Sequence, residues 1–337
     1  MIATRPSVQA RVVVALAIAT AAALLAYLEP GRTGGEPGDL QQAWMGAVAL
    51  LGGQDPYQVI GPGRQFNHEF LFLYPLPASL IIIPLAMLGE LPAAVLFVWI
   101  STALLAFSIT ADGWHRLPLF LSSAFVLSAR RVQWTPLLSS AMHLPSLAWV
   151  LIAKPNIGLA LLLAAPSRRT VIVAVVGGAG LALASLLILP QWPAEWLESV
   201  KSTTHTRAPI TQTGGFLVLL ALLRWRRWEA RLIVALACVP QTLYWYDVLP
   251  LLLVAQTFRE SLLLSLVTSS GFLFDMLVVD DGSALPSYRR FGPLLIAFAY
   301  LPATLLVLRR RNEGPVPALL EKWIGRLTSR VKSGATR

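Results

Sequence analysis

Cysteine and charge are both scarce in this chain of 337 residues. The single cysteine, Cys238, excludes a disulfide within the chain and a metal site built from cysteines. Charged residues make up 13% of the sequence, against roughly 25% in soluble domains, and hydrophobic residues make up 56%. Apolar runs recur from end to end, so the composition indicates a membrane protein.

Several familiar motifs are also missing from the sequence. It contains no P-loop, no Gly-rich dinucleotide fingerprint and no His-Glu-x-x-His pattern, and its four histidines are scattered. We therefore expect no ATP-driven transport, no bound metal and no cofactor. The net charge of +10 does not indicate nucleic acid as a partner. The basic residues cluster between apolar runs and at the C-terminus, as the positive-inside rule of membrane proteins requires.

The apolar runs are continuous and lack the alternation of β-strands, which favours helices over a β-barrel. The predicted spans are residues 12–28, 70–88, 92–110, 117–129, 135–153, 156–166, 170–190, 215–224, 230–244, 246–258, 261–279 and 291–308. Several fall short of the ~20 residues that a crossing helix needs, and we expect these to be tilted, re-entrant or broken. The sequence predicts an all-α polytopic membrane protein with ten to twelve transmembrane or re-entrant helices and amphipathic helices in its outer loops.

Arginine clusters set the predicted orientation. With twelve crossings, the arginines near residues 168, 224–227, 259 and 309–311 share the side of the N-terminus, so both termini are predicted to be cytoplasmic. Loops 29–69 and 191–214 then lie outside the plasma (inner) membrane. Residues 1–311 form the predicted transmembrane domain. Residues 312–337 form a cytoplasmic tail, in which 316–332 reads as a basic helix on the membrane surface.

The stretch from Gly38 to Tyr57 stands out because it carries two of only 17 carboxylates in the chain. Apolar residues recur at helical spacing over residues 40–51, which predicts an amphipathic helix along the membrane surface with Asp39 at its start. Asp39 with Gln42 resembles a capping box, and Gly52-Gly53 supplies a stop. Capping and a chemical role for Asp39 are compatible, because a carboxylate at the edge of a cleft can still accept a proton.

Other candidate residues lie in the outer loops or between apolar runs. Lys154 is followed by a helix-breaking proline and could bind a lipid phosphate or merely extend to the membrane surface. Asp247 could pair with a basic group, hold an acceptor hydroxyl or mark a helix start. Trp192 and Trp196 could form a sugar or lipid platform, or belong to an interfacial aromatic belt. The remaining candidates are Asp55, Tyr57, Arg64, Tyr74, Gln133, His205, Arg207 and Tyr246.

Three short motifs resemble one enzyme family. The first motif comprises Asp39 after the first span, with Leu51-Gly52-Gly53-Gln54-Asp55-Pro56-Tyr57 and Leu73-Tyr74-Pro75-Leu76. The second is Ala153-Lys154-Pro155-Asn156, and the third is Tyr246-Asp247. All three are similar to motifs of polyprenol-phosphate-sugar-dependent glycosyltransferases. These enzymes have the GT-C fold, and the branch is that of mycobacterial-type α-1,2-mannosyltransferases. The sequence departs from relatives at Arg130-Arg131-Val132-Gln133, where they often carry Gly-Gln.

The resemblance implies that Asp39 is the catalytic base of an inverting transfer from a polyprenyl-phosphate sugar, without a nucleotide sugar or a metal. Mannose or arabinofuranose would pass to a glycolipid or polysaccharide at the outer face. Lys154, with Arg64 or Arg207, would stabilise the departing phosphate. Asp55, Tyr57, Tyr74, Gln133, His205, Tyr246 and Asp247 would contact substrate. A flippase or transporter of a lipid-linked sugar is the alternative, since it would need the same cations but no base, and a scaffold subunit is a third possibility.

Overall fold

The computed structural model describes residues 6–29, 38–164, 167–202, 206–279 and 287–314, and 74% of the chain is helical. The α-helices are α1 (Val8–Tyr27), α2 (Leu40–Leu51), α3 (Pro56–Val59), α4 (Leu76–Ala86), α5 (Glu90–Ile109), α6 (Ser123–Arg130), α7 (Thr135–Ser140), α8 (Pro155–Ala164), α9 (Arg168–Ile188), α10 (Trp192–Lys201), α11 (Trp228–Cys238), α12 (Phe258–Phe274), α13 (Ser287–Leu295) and α14 (Leu301–Leu308). Two short parallel strands, β1 (Ile60–Gly61) and β2 (Phe66–Asn67), lie between α3 and α4. The predicted tail helix 316–332 and His205 lie outside the described residues.

Within the described residues, five helices are long and apolar enough to cross a membrane. They are Val8–Tyr27, Glu90–Ile109, Arg168–Ile188, Phe258–Leu277 and Arg289–Leu308. The last two continue through π-helical turns at Asp275–Val279 and Ile296–Tyr300. Only Thr170, Gly178 and Ser185 of α9 are buried, so none of its large apolar side chains is, as expected of a helix that faces lipid. The architecture fits an all-α protein of the multi-pass membrane class, while the number of ten to twelve spans stays a prediction.

Several apolar runs form shorter or tighter helices than the sequence suggests. The run 117–129 divides into a 3₁₀-helix, Leu117–Leu121, and α6. The run 135–153 divides into α7 and the 3₁₀-helix Pro145–Ala153. Pro145, in a first turn where a missing N–H is tolerated, marks the division of the run 135–153. The division of the run 117–129 is marked by Ser122, which caps α6 by accepting the N–H of Phe125. Two further apolar runs, Gly215–Arg224 and Trp245–Val254, are 3₁₀-helices of ten residues, long for this class of helix.

The predicted outer loops pack on each other at one end of the bundle. Helix α2 has the predicted bounds, but eight of its twelve residues are buried, so it does not lie half-exposed on a surface. A hydrophobic cluster, separate from the main core of the bundle, joins α2 to the rest of the first predicted outer loop and to α10. Its members are Met45, Tyr57, Ile60, Phe72, Leu76 and Trp192. Trp192 is therefore a core residue, and Gln58 Nε2 donates to Glu195 Oε1 across the same junction at 3.0 Å.

The opposite end of the bundle is held by ion pairs. Glu229 is 1% exposed and accepts from Arg227 at 3.1 Å and from Arg310 at 3.0 Å. Arg310 also pairs with Glu260 at 2.6 Å and donates to the carbonyl of Val254, at the end of the buried 3₁₀-helix. Guanidinium groups near a helix C-terminus complement its dipole. The arginine clusters of residues 224–231 and 309–311 thus meet at one end, as the orientation argument required, although which compartment they face stays a prediction.

We expect Glu229→Gln to lower the free energy of unfolding by about 1–3 kcal/mol, because charge-assisted hydrogen bonds to two arginines become neutral ones. Thermal unfolding in lipid nanodiscs measures this change. Glu313→Gln is the matched control, since its pair with Arg311 is exposed on both sides. Exposed pairs contribute little, so the two variants should differ clearly in Tm. Equal Tm values would mean that the buried pairs do not hold this end of the bundle.

Candidate functional site

A cavity of about 520 Å³ opens where five breaks between helices meet. Its charged lining residues are Asp39, Glu69, Arg131, Lys154 and Asp247. They come from the start of α2, the segment before α4, the α6–α7 junction, the turn before α8 and the first turn of the helix Trp245–Val254. The volume lies within the ~300–1,000 Å³ range of small-molecule sites. Residues distant in sequence therefore share one cavity with the volume of a small-molecule site.

The backbone before α2 places Asp39 against the α6–α7 junction. Gly38 has φ of +89°, and a Cβ at this position would lie 2.4 Å from the carbonyl oxygen of Arg131. The same carbonyl accepts the N–H of Asp39 at 2.9 Å. Only glycine tolerates both the left-handed conformation and this close approach. The Gly-Asp pair is thus a local device that fixes the aspartate beside the cavity.

The predicted capping box at Asp39 and Gln42 is wrong. Asp39 makes no capping bond, and its Oδ2 instead accepts hydrogen bonds from Gln133 Nε2 and from the Tyr246 hydroxyl, the latter at 3.2 Å. Gln42 turns to the segment before α4, where its Oε1 accepts the N–H of Leu73 at 3.0 Å. Tertiary partners have displaced the local pattern, so the Asp39 carboxylate faces the cavity.

We expect Gly38→Ala to destabilise the fold and move Asp39. The added methyl group meets a backbone carbonyl that cannot rotate away, and left-handed alanine is strained by about 1–2 kcal/mol. Gly53→Ala is the control, because φ there is also positive, at +68°, but nothing lies within 4 Å of the added Cβ. Tm should fall further for Gly38→Ala than for Gly53→Ala. Equal losses would assign the effect to backbone strain alone and not to the contact with Arg131.

Lys154 owes its position to the proline that follows it. Proline disfavours the α conformation in the residue before it, and Lys154 has φ of −136° and ψ of 80° between the 3₁₀-helix and α8. Its Nζ lies 3.7 Å from Asp247 Oδ1 and 3.5 Å from Gln133 Oε1. The ammonium also sits over the Tyr246 ring, 5.9 Å from its centroid. The side chain is 17% exposed and lines the cavity, so its ammonium lies among protein groups.

Asp247 combines two of the roles left open by its sequence context. It pairs with Lys154, and its Oδ2 accepts the Thr242 hydroxyl at 2.6 Å and the N–H of Tyr244 at 3.3 Å at the start of the 3₁₀-helix. Its side chain is 2% exposed. The N-terminal end of a helix favours a carboxylate. Asp247 is therefore a structural anchor for the cation as well as part of the cavity wall.

Two strained backbone positions flank the same cavity. Val132 has φ of +50° and Leu243 has φ of +57°, and no other non-glycine residue in the described ranges has positive φ. Positive φ is an outlier for a β-branched residue such as valine. Val132 lies between Arg131 and Gln133, and Leu243 lies just before Tyr244. Such strain clusters at functional sites, where the surrounding structure enforces it.

The side-chain amide of Gln133 connects the carboxylate of Asp39 to the ammonium of Lys154. Gln133 is 1% exposed, donates through Nε2 to Asp39 and offers Oε1 to Lys154. Tyr74 completes this wall and lines the cavity beside Asp39. Burial raises the pKa of Tyr74 well above its ordinary value, and the carboxylates of Asp39 and Asp247 raise it further. The phenol therefore stays neutral and can donate a hydrogen bond.

Four predicted site residues do not line the cavity: Asp55 and Tyr57, predicted to contact substrate, and Arg64 and Arg207, predicted to bind the donor phosphate. Asp55 caps α3 by accepting the N–H of Tyr57, and the Tyr57 hydroxyl donates to the carbonyl of Tyr74 at 2.9 Å, so both are structural. Arg64 donates to the carbonyls of Tyr57 and Ile60 and fixes the loop. Arg207 is exposed beside the cavity and pairs through its backbone with Gln241. Asp55, Tyr57 and Arg64 therefore fix the turns of the loop, because their side chains bond to backbone groups of the same segment.

The structure adds lining residues that the sequence argument passed over. The sequence marks Arg131 only as a departure from the family pattern and does not single out His68 or Glu69, yet all three line the cavity. Trp196 was left open as a platform or belt residue, and it lines the cavity. The sequence signal for such lining residues is a charged or aromatic residue beside a helix break. This signal does not tell which side of the break the side chain faces.

No three His, Cys, Asp or Glu side chains in the described part of the chain gather closely enough to hold a metal ion. Comparisons with protein families, with curated proteins and with solved structures each found no match. The structural class is thus a helical protein with several candidate membrane-spanning helices and a polar cavity at one end. Function has to be argued from that cavity.

Proposed function

We propose that the protein is an inverting glycosyltransferase that moves a sugar from a polyprenyl-phosphate donor to a glycolipid or glycan acceptor at the outer face of the membrane. One observation carries the proposal: the carboxylate of Asp39 and the ammonium of Lys154 line one cavity and share Gln133. A lipid donor is confined to the leaflet, so its reactive bond lies at headgroup depth. A base and a cation at one end of an apolar helical bundle suit that substrate.

In the proposed reaction, an acceptor hydroxyl attacks C1 of the donor sugar and the C1–O bond to phosphate breaks. The bonding electron pair leaves with polyprenyl phosphate, and Asp39 takes the hydroxyl proton as general base. Both hydrogen bonds to Asp39 from described residues end on Oδ2, so Oδ1 is the oxygen that faces the acceptor. Attack opposite the leaving phosphate inverts the anomeric centre.

The departing phosphate is assigned to Lys154 and Arg131. Lys154 acts as a point charge, and Arg131 supplies a planar donor pair for phosphate oxygens. Lys154 keeps its predicted role, and Arg131 replaces Arg64 and Arg207 as its partner, because Arg131 lines the cavity and they do not. Asp247 and Tyr246 hold the lysine in place, and fixed charges aimed at a developing anion stabilise the transition state. The proposed fold is GT-C-like, with ten to twelve spans and both termini in the cytoplasm.

The direct test supplies purified protein in nanodiscs with radiolabelled polyprenyl-phosphate mannose or arabinofuranose and with glycolipids extracted from membranes. The expected product carries a new glycosidic bond whose anomeric configuration is opposite to that of the donor. In sealed vesicles, movement of the labelled sugar across the bilayer without a new bond would identify a flippase instead. Absence of both transfer and movement, with intact donor recovered, would contradict the proposal.

A further inference from the structure

The cavity has two chemically different walls. Arg131 and Lys154 carry positive charge on the side of the helix breaks. The other wall consists of residues 68–73 and α10, and it carries the carboxylate of Glu69, the imidazole of His68 and the indole of Trp196. Asp39 joins the two walls, since its carboxylate contacts Gln133 while Gln42, one helical turn along, contacts the second wall. We call this second side the loop wall.

A chain of hydrogen bonds makes the loop wall rigid. Trp196 Nε1 donates to the carbonyl of Leu73 at 3.0 Å, and the N–H of Leu73 donates to Gln42 Oε1 at 3.0 Å. Gln42 Nε2 in turn donates to the carbonyl of Leu71 at 3.1 Å. The polar edge of the indole is thereby occupied inside the protein. The Trp196 ring is thus held at the cavity, and its nitrogen needs no hydrogen bond to a ligand.

The hydrogen-bond partners of His68 indicate which ring nitrogen carries its proton. Nδ1 accepts the N–H of Phe70 at 3.0 Å, the amide nitrogen of Gln42 lies at the same distance, and the carbonyl oxygen of Phe70 lies 3.2 Å away. Two donors outnumber one acceptor at Nδ1, which favours the tautomer whose proton is on Nε2. The loop wall then presents one donor from His68, acceptors from Glu69 and an aromatic surface from Trp196.

We infer that the loop wall is the acceptor subsite and that it binds an uncharged, hydroxyl-rich sugar. Sugar hydroxyls both donate and accept, so they match the carboxylate and the imidazole N–H together. The C–H face of the ring packs on the indole. Glu69 and Asp39 repel an anionic acceptor, whereas the donor phosphate is drawn to the opposite wall. The acceptor role rests on the proposed function, but sugar binding at this wall is measurable without transfer.

Soluble probes test the site directly. Protein in nanodiscs is titrated, by saturation-transfer NMR, with methyl α-mannopyranoside, methyl α-arabinofuranoside, methyl β-galactopyranoside and the charged methyl β-glucuronide. We expect a neutral glycoside to bind and the glucuronide not to bind. Glu69→Gln should weaken the neutral glycoside by about tenfold, as expected when a charge-assisted hydrogen bond is lost, and should admit the glucuronide. Trp196→Ala should weaken every glycoside by a similar factor.

Two further variants separate stacking from folding. Trp196→Phe keeps an aromatic face but loses the bond to Leu73, so it should retain binding if the ring face matters. Glu198→Gln lies on α10, is exposed and does not line the cavity, and it should bind as the wild type does. Binding by Trp196→Ala equal to wild type, or no binding of any neutral glycoside by the wild type, would overturn the inference.

The same variants distinguish a failed subsite from a failed transferase. If the wild type transfers sugar while Trp196→Ala and Glu69→Gln leave the acceptor KM unchanged, the subsite is wrong and the transferase stands. If glycosides bind through Trp196 while no donor supports transfer, a sugar site remains and its acceptor role falls with the proposed function. The inference is supported in full when both variants raise the acceptor KM by about tenfold without changing the KM for the donor.

Discussion

Asp39→Asn should reduce sugar transfer by about 10²–10⁴-fold in kcat, the usual contribution of a general base. The asparagine side chain is nearly isosteric, and its amide oxygen can still accept from Gln133 and Tyr246 as the carboxylate does. The fold and the donor site should therefore survive, while the group that takes the acceptor proton is lost. The measurement is the initial rate of labelled product formation at saturating donor and acceptor.

The control for this loss is Asp112→Asn. Asp112 pairs with Arg116 at 2.8 Å at the opposite end of the bundle. The substitution therefore removes a carboxylate without changing the cavity. Its transfer rate should match the wild type, and both variants should bind polyprenyl phosphate with unchanged affinity. Transfer by Asp39→Asn within a few-fold of the wild-type rate would show that Asp39 is not the base, and the proposed mechanism would fail.

The sequence allowed α2 to be located because its signals are local. Apolar spacing and the Gly52-Gly53 pair predict a helix over 40–51, and these are its bounds. The partners of Asp39 could not be found in this way, since Gln133 and Tyr246 lie 94 and 207 residues along the chain. The capping box failed for the same reason. It is a local pattern, and Gln42 finds better partners in a segment that only the tertiary fold brings close.

Hydropathy also hides how an apolar run is wound. The sequence predicts ordinary short spans over 215–224 and 246–258, but the structure has 3₁₀-helices at Gly215–Arg224 and Trp245–Val254. In a 3₁₀-helix ten residues extend about 20 Å at ~2.0 Å per residue. An apolar run has the same composition whether it forms an α-helix or a 3₁₀-helix. When nearly every residue is apolar, no periodic pattern separates the two kinds of helix. The break at Lys154 was predictable, because proline restricts the residue before it regardless of context. The ion pair between Lys154 and Asp247 could not be predicted in this way, because only the folded chain brings the two residues together.

The Lys154–Asp247 pair leads to the second large effect. Lys154→Met should lower kcat/KM by about 10²–10³-fold, the range found when a group that stabilises developing negative charge is removed. The single variant has a second consequence, because Asp247 is 2% exposed and would be left as a buried carboxylate without its cation. Losing one partner of a buried pair destabilises proteins by about 3–5 kcal/mol. A loss of transfer in this variant alone would therefore have two explanations.

The double variant Lys154→Met with Asp247→Asn separates them. The asparagine oxygen can keep the bonds from Thr242 and Tyr244, so the start of the 3₁₀-helix and the Tm should recover relative to the single variant. If the lysine acts on the departing phosphate, transfer stays low in the folded double variant, while Lys154→Arg retains part of the rate because it restores a cation. If the lysine serves only to balance Asp247, the double variant should recover transfer together with stability, and phosphate stabilisation would have to come from Arg131 alone.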